Sequence, residues 1–182
     1  MTARILLIRH TAVAKRWHGI CYGISDAGLS IEGRRHAQRL AAELARENVS
    51  AVIHSGLRRA SMLATLIARR HGITPVTDAR WRERDFGSWE GHSWNAIWRQ
   101  TGDEMNRMMH DPDDYRPGGG ESGADLAGRV AAAFADLPAN GTVIVVSHGG
   151  PIASLQACRA RRPLTEAMRF IPEPGTIIAL PR

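Results

Sequence analysis

Ala3-Arg4-Ile5-Leu6-Leu7-Ile8, running straight into Arg9-His10, is the stretch that decides how this chain folds. The unbroken apolar run from Ile5 to Ile8 reads as a strand buried on both faces, the kind found inside a parallel sheet. Such a strand ending on Arg-His is unusual. A guanidinium suits a phosphate or carboxylate bidentately, and an imidazole is a potential nucleophile or base, so the pair at the open end of a sheet suggests an anion site. Taken alone, the pair is equally a chain leaving the core through two polar residues.

The pattern recurs downstream. Ala51-Val52-Ile53 reads as a second buried strand and ends on His54-Ser55; Thr142 to Val146 reads as a third and ends on Ser147-His148, before Gly149-Gly150-Pro151 opens a helix. In an open parallel sheet these ends share one rim, where helix N-termini turn free N–H groups toward a ligand. Three such ends together look like a site for an anion.

The remaining elements follow from spacing. Ser30 caps a helix expected to run to about Glu47, and a second helix spans about Leu57 to Arg70, closed by Gly72. Thr74 to Val76 reads as a short strand, Ala124 to Leu137 as a helix, and Gly175 to Leu180 as a last strand near an edge because of Pro181. Trp94, Ile97 and Trp98 suggest a short helix burying aromatics. Thr11 to Gly28 and Ala79 to Gly91 read as loops, and loops of such length tend to carry function.

Composition excludes several classes. The 182 residues suffice for a core and contain no Pro/Gly/Ser linker, so residues 1–182 are expected to form one domain. No apolar run is long enough for a secretion signal or a membrane span, which gives a cytoplasmic, non-membrane expectation. Cys21 and Cys158 share no metal or disulfide spacing, and Asp111-Pro112-Asp113-Asp114 matches no Ca²⁺ loop. The formal charge is +6 and Lys15 is the sole lysine, yet the arginines are scattered and no basic arm or aromatic-basic interleaving appears, so nucleic acid is not expected as a partner.

At greater length, LLIRHT (Leu6–Thr11), HSGLRRA (His54–Ala60), RERDFGSWEG (Arg82–Gly91), GGES (Gly119–Ser122) and VVSHGG (Val145–Gly150) resemble, in order, the motifs of the histidine phosphatase superfamily, the phosphoglycerate-mutase-like proteins. GICYGISD (Gly19–Asp26) and WEGHSWNAI (Trp89–Ile97) are most similar to its alpha-ribazole phosphatase branch. The resemblance implies an α/β three-layer sandwich with a mostly parallel sheet and a phosphomonoesterase acting through phosphohistidine. It makes His10 the nucleophile, Arg9 and Arg59 the phosphate clamps, His148 the second phosphate-pocket histidine and Glu83 the proton donor. Asp85 and Glu90 compete with Glu83, and the register before Phe86-Gly87 favours Glu83.

Thr11, Cys21, Tyr22, Gly23, His54 and Gly149 are the further residues expected to bind substrate. Neither metal nor cofactor is implied; the partner is a small phosphorylated substrate, with a homodimer left open. Alpha-ribazole 5′-phosphate, a substrate of cobalamin nucleotide-loop assembly, leads. A broad-specificity phosphatase is the alternative, with a mutase or a catalytically silent phosphate-binding module behind it. Several departures bear on the pocket: Thr11 stands where many members carry glycine, His54 and Gly56 where serine and proline are usual, and Lys15-Arg16 where an asparagine is common.

Overall fold

In the computed structural model, residues 3–181 are described. Along the chain run β1 (Arg4–Arg9), α1 (Ile31–Glu43), β2 (Val49–His54), α2 (Arg58–His71), β3 (Val76–Thr77), α3 (Trp94–Thr101), α4 (Arg107–His110), α5 (Gly123–Ala135), β4 (Thr142–Ser147), α6 (Gly149–Arg159) and β5 (Ile177–Pro181). The sheet order is β3-β2-β4-β1-β5; every pairing is parallel except that of β5 with β1.

Side chains of a strand alternate between faces, and β1 therefore feeds two cores. Leu6 and Ile8 pack with Val52, Ile144 and helical residues Leu40, Leu63 and Ile67 from α1 and α2. Ile5 and Leu7 pack on the other face with Val143, Val145, and Leu126, Val130 and Ile152 from α5 and α6. The result is the expected three-layer α/β sandwich. Because β4 lies between β1 and β2, with Arg9 opposite Ser147 and His54 opposite Val146, the three polar strand ends emerge side by side.

The long loop after β1 is pinned. Bridges join Val13 to Leu29 and Ile20 to Ser93, a 3₁₀ turn spans Lys15–Trp17, and Asp26 Oδ1 accepts the Arg58 N–H (2.7 Å) at the start of α2, where Leu57 offers no side-chain cap. A third apolar cluster, with Cys21, Trp89, Ile97 and Tyr115 at its centre, forms beside this loop.

Some elements differ from expectation. The short third strand is Val76–Thr77 and pairs with Ile53 and His54, one step beyond Pro75, which has no N–H for the ladder. The first helix tightens into a 3₁₀ turn at Leu44–Arg46. In α3 the buried side is Ile97; Trp98 is turned outward and stays 45% exposed, so only one of the two tryptophans packs inward.

Gly33 shows the tolerance of the loop–helix junction. The Thr11 hydroxyl donates to the Gly33 carbonyl (2.8 Å), and a Cβ on Gly33 would stand 2.0 Å from the Ala12 carbonyl oxygen. Gly128, exposed in α5, has nothing within 4 Å of such a Cβ. Gly33→Ala should lower stability by about 1–3 kcal/mol through overpacking, whereas Gly128→Ala should raise it by about 0.5–1 kcal/mol. Urea midpoints of the two variants should therefore move in opposite directions.

Candidate active site

Arg9 is the last residue of β1, and His10 leaves the strand with its N–H donating to the Ser147 carbonyl (3.0 Å), which ties it to the end of β4. The His10 Nδ1 lies 2.8 Å from the Thr11 carbonyl oxygen. A carbonyl can only accept, so Nδ1 carries the proton and Nε2 keeps a free lone pair. Burial, then the Arg59 and Arg9 charges, lower the His10 pKa to about 3, with the Thr11 bond opposing; the ring is neutral at cellular pH.

Arg59, in the first turn of α2, is fully buried. Its Nε donates to His148 Nδ1 (3.2 Å), Nη1 to the Ser25 carbonyl (2.7 Å) and Nη2 to the Gly23 carbonyl (2.5 Å), which leaves two of its five N–H donors uncommitted. Tyr22 covers the guanidinium with its ring centroid 5.1 Å away. Since His148 Nδ1 accepts from Arg59, its Nε2 is the protonated nitrogen and donates to Ser55 Oγ (2.7 Å). Burial and the Arg59 charge hold the His148 pKa well below the usual range. The two imidazoles lie 5.1 Å apart, centroid to centroid.

Glu83 completes the group from the loop before α3. Its carboxylate accepts the Gly150 N–H (3.1 and 3.3 Å) at the N-terminus of α6 and the Arg84 N–H (2.9 Å). A free helix N-terminus favours a negative group. The approach demands glycine, because a Cβ on Gly150 would stand 2.3 Å from Glu83 Oε1. Arg9 donates Nη1 to the Pro172 carbonyl (2.6 Å), and its buried Nε has no partner among the described residues.

Arg9, Tyr22, Gly23, Glu83 and Gly149 line a cavity of about 460 Å³. His10, Arg59 and His148 do not line it directly; they are packed into the rim itself. Three of the expected substrate-binding residues are set elsewhere. The Thr11 hydroxyl is spent on α1, Cys21 is fully buried in the third apolar cluster with burial pushing its thiol up to about 12, and His54 accepts the Gly56 N–H (3.0 Å) through Nδ1 and faces Thr77. None of the three is among the residues that line the cavity.

The competitors of Glu83 are engaged too. Glu90 accepts the N–H groups of Ile24 (2.8 Å) and Ser25 (2.7 Å) and the Ser25 hydroxyl, so it anchors the loop over Arg59; Asp85 closes a turn on the Gly87 N–H (2.8 Å). The Asp85-Phe86-Gly87 spacing is a readable turn signal. Glu90 also accepts the nearby Phe86 N–H (3.3 Å), but nothing local marks its Ile24 and Ser25 partners, some 65 residues away. The methionines of the cavity wall likewise had no sequence signal, and for Ser55 the chain gave the rim position but not its bond to His148. Among the described residues no group of three or more His, Cys, Asp or Glu could hold a metal ion, and no helix is long and apolar enough to cross a membrane.

A neutral imidazole with a free Nε2, guanidiniums on either side and a carboxylate on a helix N-terminus can accept and release a phosphoryl group, so fold and site define a phosphoryl-handling α/β enzyme. The family model of the histidine phosphatase superfamily (branch 1) matches residues 5–181. The chain belongs to that superfamily and is a phosphoric monoester hydrolase. It is 29% identical over 155 residues to phosphoserine phosphatase 1 of Hydrogenobacter thermophilus, covering 84% of this chain and 74% of that protein. Mycobacterial glucosyl-3-phosphoglycerate phosphatase superposes with a TM-score of 0.88 at 26% identity, covering 98% of this chain and 90% of that one. Alpha-ribazole phosphatase of Shigella flexneri has the same fold, with a TM-score of 0.86 at 24% identity over 97% of this chain and 89% of its own.

The lowered histidines have a measurable consequence. Unfolded, they return to the usual value of 6.5, so below that pH the unfolded state binds protons that the folded state refuses. Their contribution is fully present above pH 6.5 and is lost as pH falls below it, for His10 toward about 3. The loss should approach about 1.4 kcal/mol per pH unit per histidine once pH is about one unit or more below 6.5. Urea titrations should show His10→Asn with the shallower slope, by close to one proton.

Proposed function

We propose that the chain hydrolyses a phosphomonoester through a phosphohistidine on His10 Nε2, and that its substrate is alpha-ribazole 5′-phosphate, within cobalamin nucleotide-loop assembly. In the first step Nε2 attacks phosphorus in line, the N–P bond forms and the ester P–O bond breaks. Arg9 and Arg59, with His148 holding the Arg59 Nε, offset charge on the equatorial oxygens, and Glu83 in its acid form protonates the departing alkoxide. In the second step Glu83 takes a proton from water as it attacks the phosphohistidine, and phosphate and free His10 result.

The character of the cavity carries the substrate assignment. Phe86, Trp94, Met105, Met108 and Leu164 give it a mainly apolar wall, and among the described residues its only cationic side chains are Arg9 and Arg84. Arg84 is committed to the carbonyls of Glu121 (2.9 Å) and Tyr115 (3.0 Å). A leaving group with its own carboxylate, such as phosphoglycerate, finds no spare cation among the described lining residues beyond the phosphate clamp. The fused apolar ring of a benzimidazole riboside fits such a wall.

A broad-specificity phosphatase is the second reading, favoured by the adaptable methionines Met105, Met108, Met109 and Met168 on the wall. Retention of both histidines, both arginines and Glu83 speaks against a silent module. We take residues 1–182 as one domain that acts in the cytoplasm, as monomer or homodimer, on a small substrate and not on nucleic acid. The free thiols of Cys21 and Cys158 suit a reducing compartment, and several surface arginines are paired with carboxylates, as in Arg4–Glu47 and Arg162–Glu166.

The decisive comparison is kcat/KM for phosphate release from alpha-ribazole 5′-phosphate, 3-phosphoglycerate, nucleoside monophosphates and p-nitrophenyl phosphate. A preference of about a hundredfold for the first, some 2.7 kcal/mol of selective transition-state binding, supports the assignment; flat activity across the panel removes it in favour of the broad phosphatase. For the chemistry, His10→Ala should abolish turnover and any acid-labile phosphoenzyme. Glu83→Gln should cost roughly 10² to 10⁴ in rate with an alkyl phosphate and far less with p-nitrophenyl phosphate, whose leaving group barely needs a proton.

A further inference from the structure

The segment Arg80 to Glu83 carries the acid of the proposed reaction, yet it belongs to no strand or long helix, and its carbonyls are held by side chains instead of a backbone ladder. Ser147 Oγ, at the end of β4, donates to the Trp81 carbonyl (2.8 Å). Arg129 of α5 takes the other three: Nη1 donates to the carbonyls of Arg80 (2.7 Å) and Arg82 (2.8 Å), and Nη2 to that of Glu83 (3.1 Å). The remaining donors go to Glu121, Nε to Oε1 (2.5 Å) and Nη2 to Oε2 (2.8 Å). All five guanidinium N–H groups are thereby used, and the Arg129 and Glu121 side chains are only 22% and 15% exposed.

We infer that Arg129, oriented by Glu121, is a positioning residue that sets the height of Glu83 at the cavity. This rests on the reading of Glu83 as the acid. Neither Arg129 nor Glu121 touches the reacting groups. Their carbonyl bonds fix the backbone from which Glu83 projects, while the Gly150 N–H holds its other end, so the carboxylate is located from both sides. Lysine cannot replace this arginine, because an ammonium has three donors and no planar fork with which to reach three carbonyls and a carboxylate. The GGES run at Gly119–Ser122 gains a role here: it delivers the Glu121 carboxylate to Arg129 and, through Ser122, caps α5, on which Arg129 rides.

A displaced acid affects the step that needs a proton and spares the one that does not. The test compares kcat/KM for ribose 5-phosphate, an alkyl ester, with that for p-nitrophenyl phosphate in Arg129→Lys, Arg129→Gln, Glu121→Gln and Glu83→Gln. The expected result is a loss of about tenfold or more on the alkyl ester in the Arg129 and Glu121 variants, with p-nitrophenyl phosphate held within about threefold. Since the two residues act as a unit, Glu121→Gln combined with Arg129→Gln should lose little more than either alone. Glu121→Gln, which keeps the side-chain shape, decides the matter if Arg129→Gln does not fold. Equal losses on both substrates, or none on the alkyl ester, overturn the positioning role when Glu83→Gln itself separates the two substrates. If Glu83→Gln lowers both equally, the acid reading of Glu83 fails and the clamp's catalytic meaning falls with it.

Discussion

A guanidinium cannot be buried without acceptors, and full burial of Arg59 is the constraint around which this site closes. Losing water is costly for a cation, and its burial is tolerable only when its N–H groups are met by well-placed partners. Here the partners come from separate parts of the chain: Gly23 and Ser25 from the loop after β1, and His148 from the junction of β4 and α6. The bond to His148 also settles which imidazole nitrogen is protonated and so why Ser55 is its second partner. One buried cation therefore ties loop, α2 and α6 together and adds to the burial that keeps the adjacent histidines uncharged.

Much of this was legible in the chain, for local reasons. Ile5 to Ile8 and Val143 to Val146 are buried on both faces, and a run without polar interruption states that directly. Parallel strands with their ends on one rim then place His10, Ser55 and His148 together with no knowledge of side-chain directions. What failed to show was orientation. Thr11, Cys21 and His54 follow strand ends or sit in the expected loop, but a turn of one residue sends a side chain to the other face, where Gly33, Trp89 and Gly56 receive them.

Long-range partners were equally silent. Glu90 reads locally as a spare carboxylate near Glu83, yet three of its donors are in Ile24 and Ser25. Arg129 reads as one more arginine on an alanine-rich helix, though its carbonyl partners lie more than forty residues earlier. No periodicity encodes such pairs, because they depend on how two layers meet. The motif register preferred Glu83 to its neighbours where physics from sequence alone had three carboxylates to choose among. In the structure Glu83 is the one of the three that lines the cavity and meets the α6 N-terminus.

The rim and the cavity wall are built on different physical terms, and that difference separates chemistry from substrate choice. Rim groups stand on β1, β4 and the first turns of α2 and α6, where ladder hydrogen bonds and two apolar cores resist displacement. The wall comes largely from short pieces, the 3₁₀ segments Gly102–Asn106 and Leu164–Phe170 and the four-residue α4, whose side chains include Met105, Met108 and Met168. A few unbranched side chains on short helical turns can be exchanged or repacked without disturbing the sheet. On the proposed reading, the same geometry at His10 serves different leaving groups, and the apolar wall is the part of the structure that selects among phosphomonoesters.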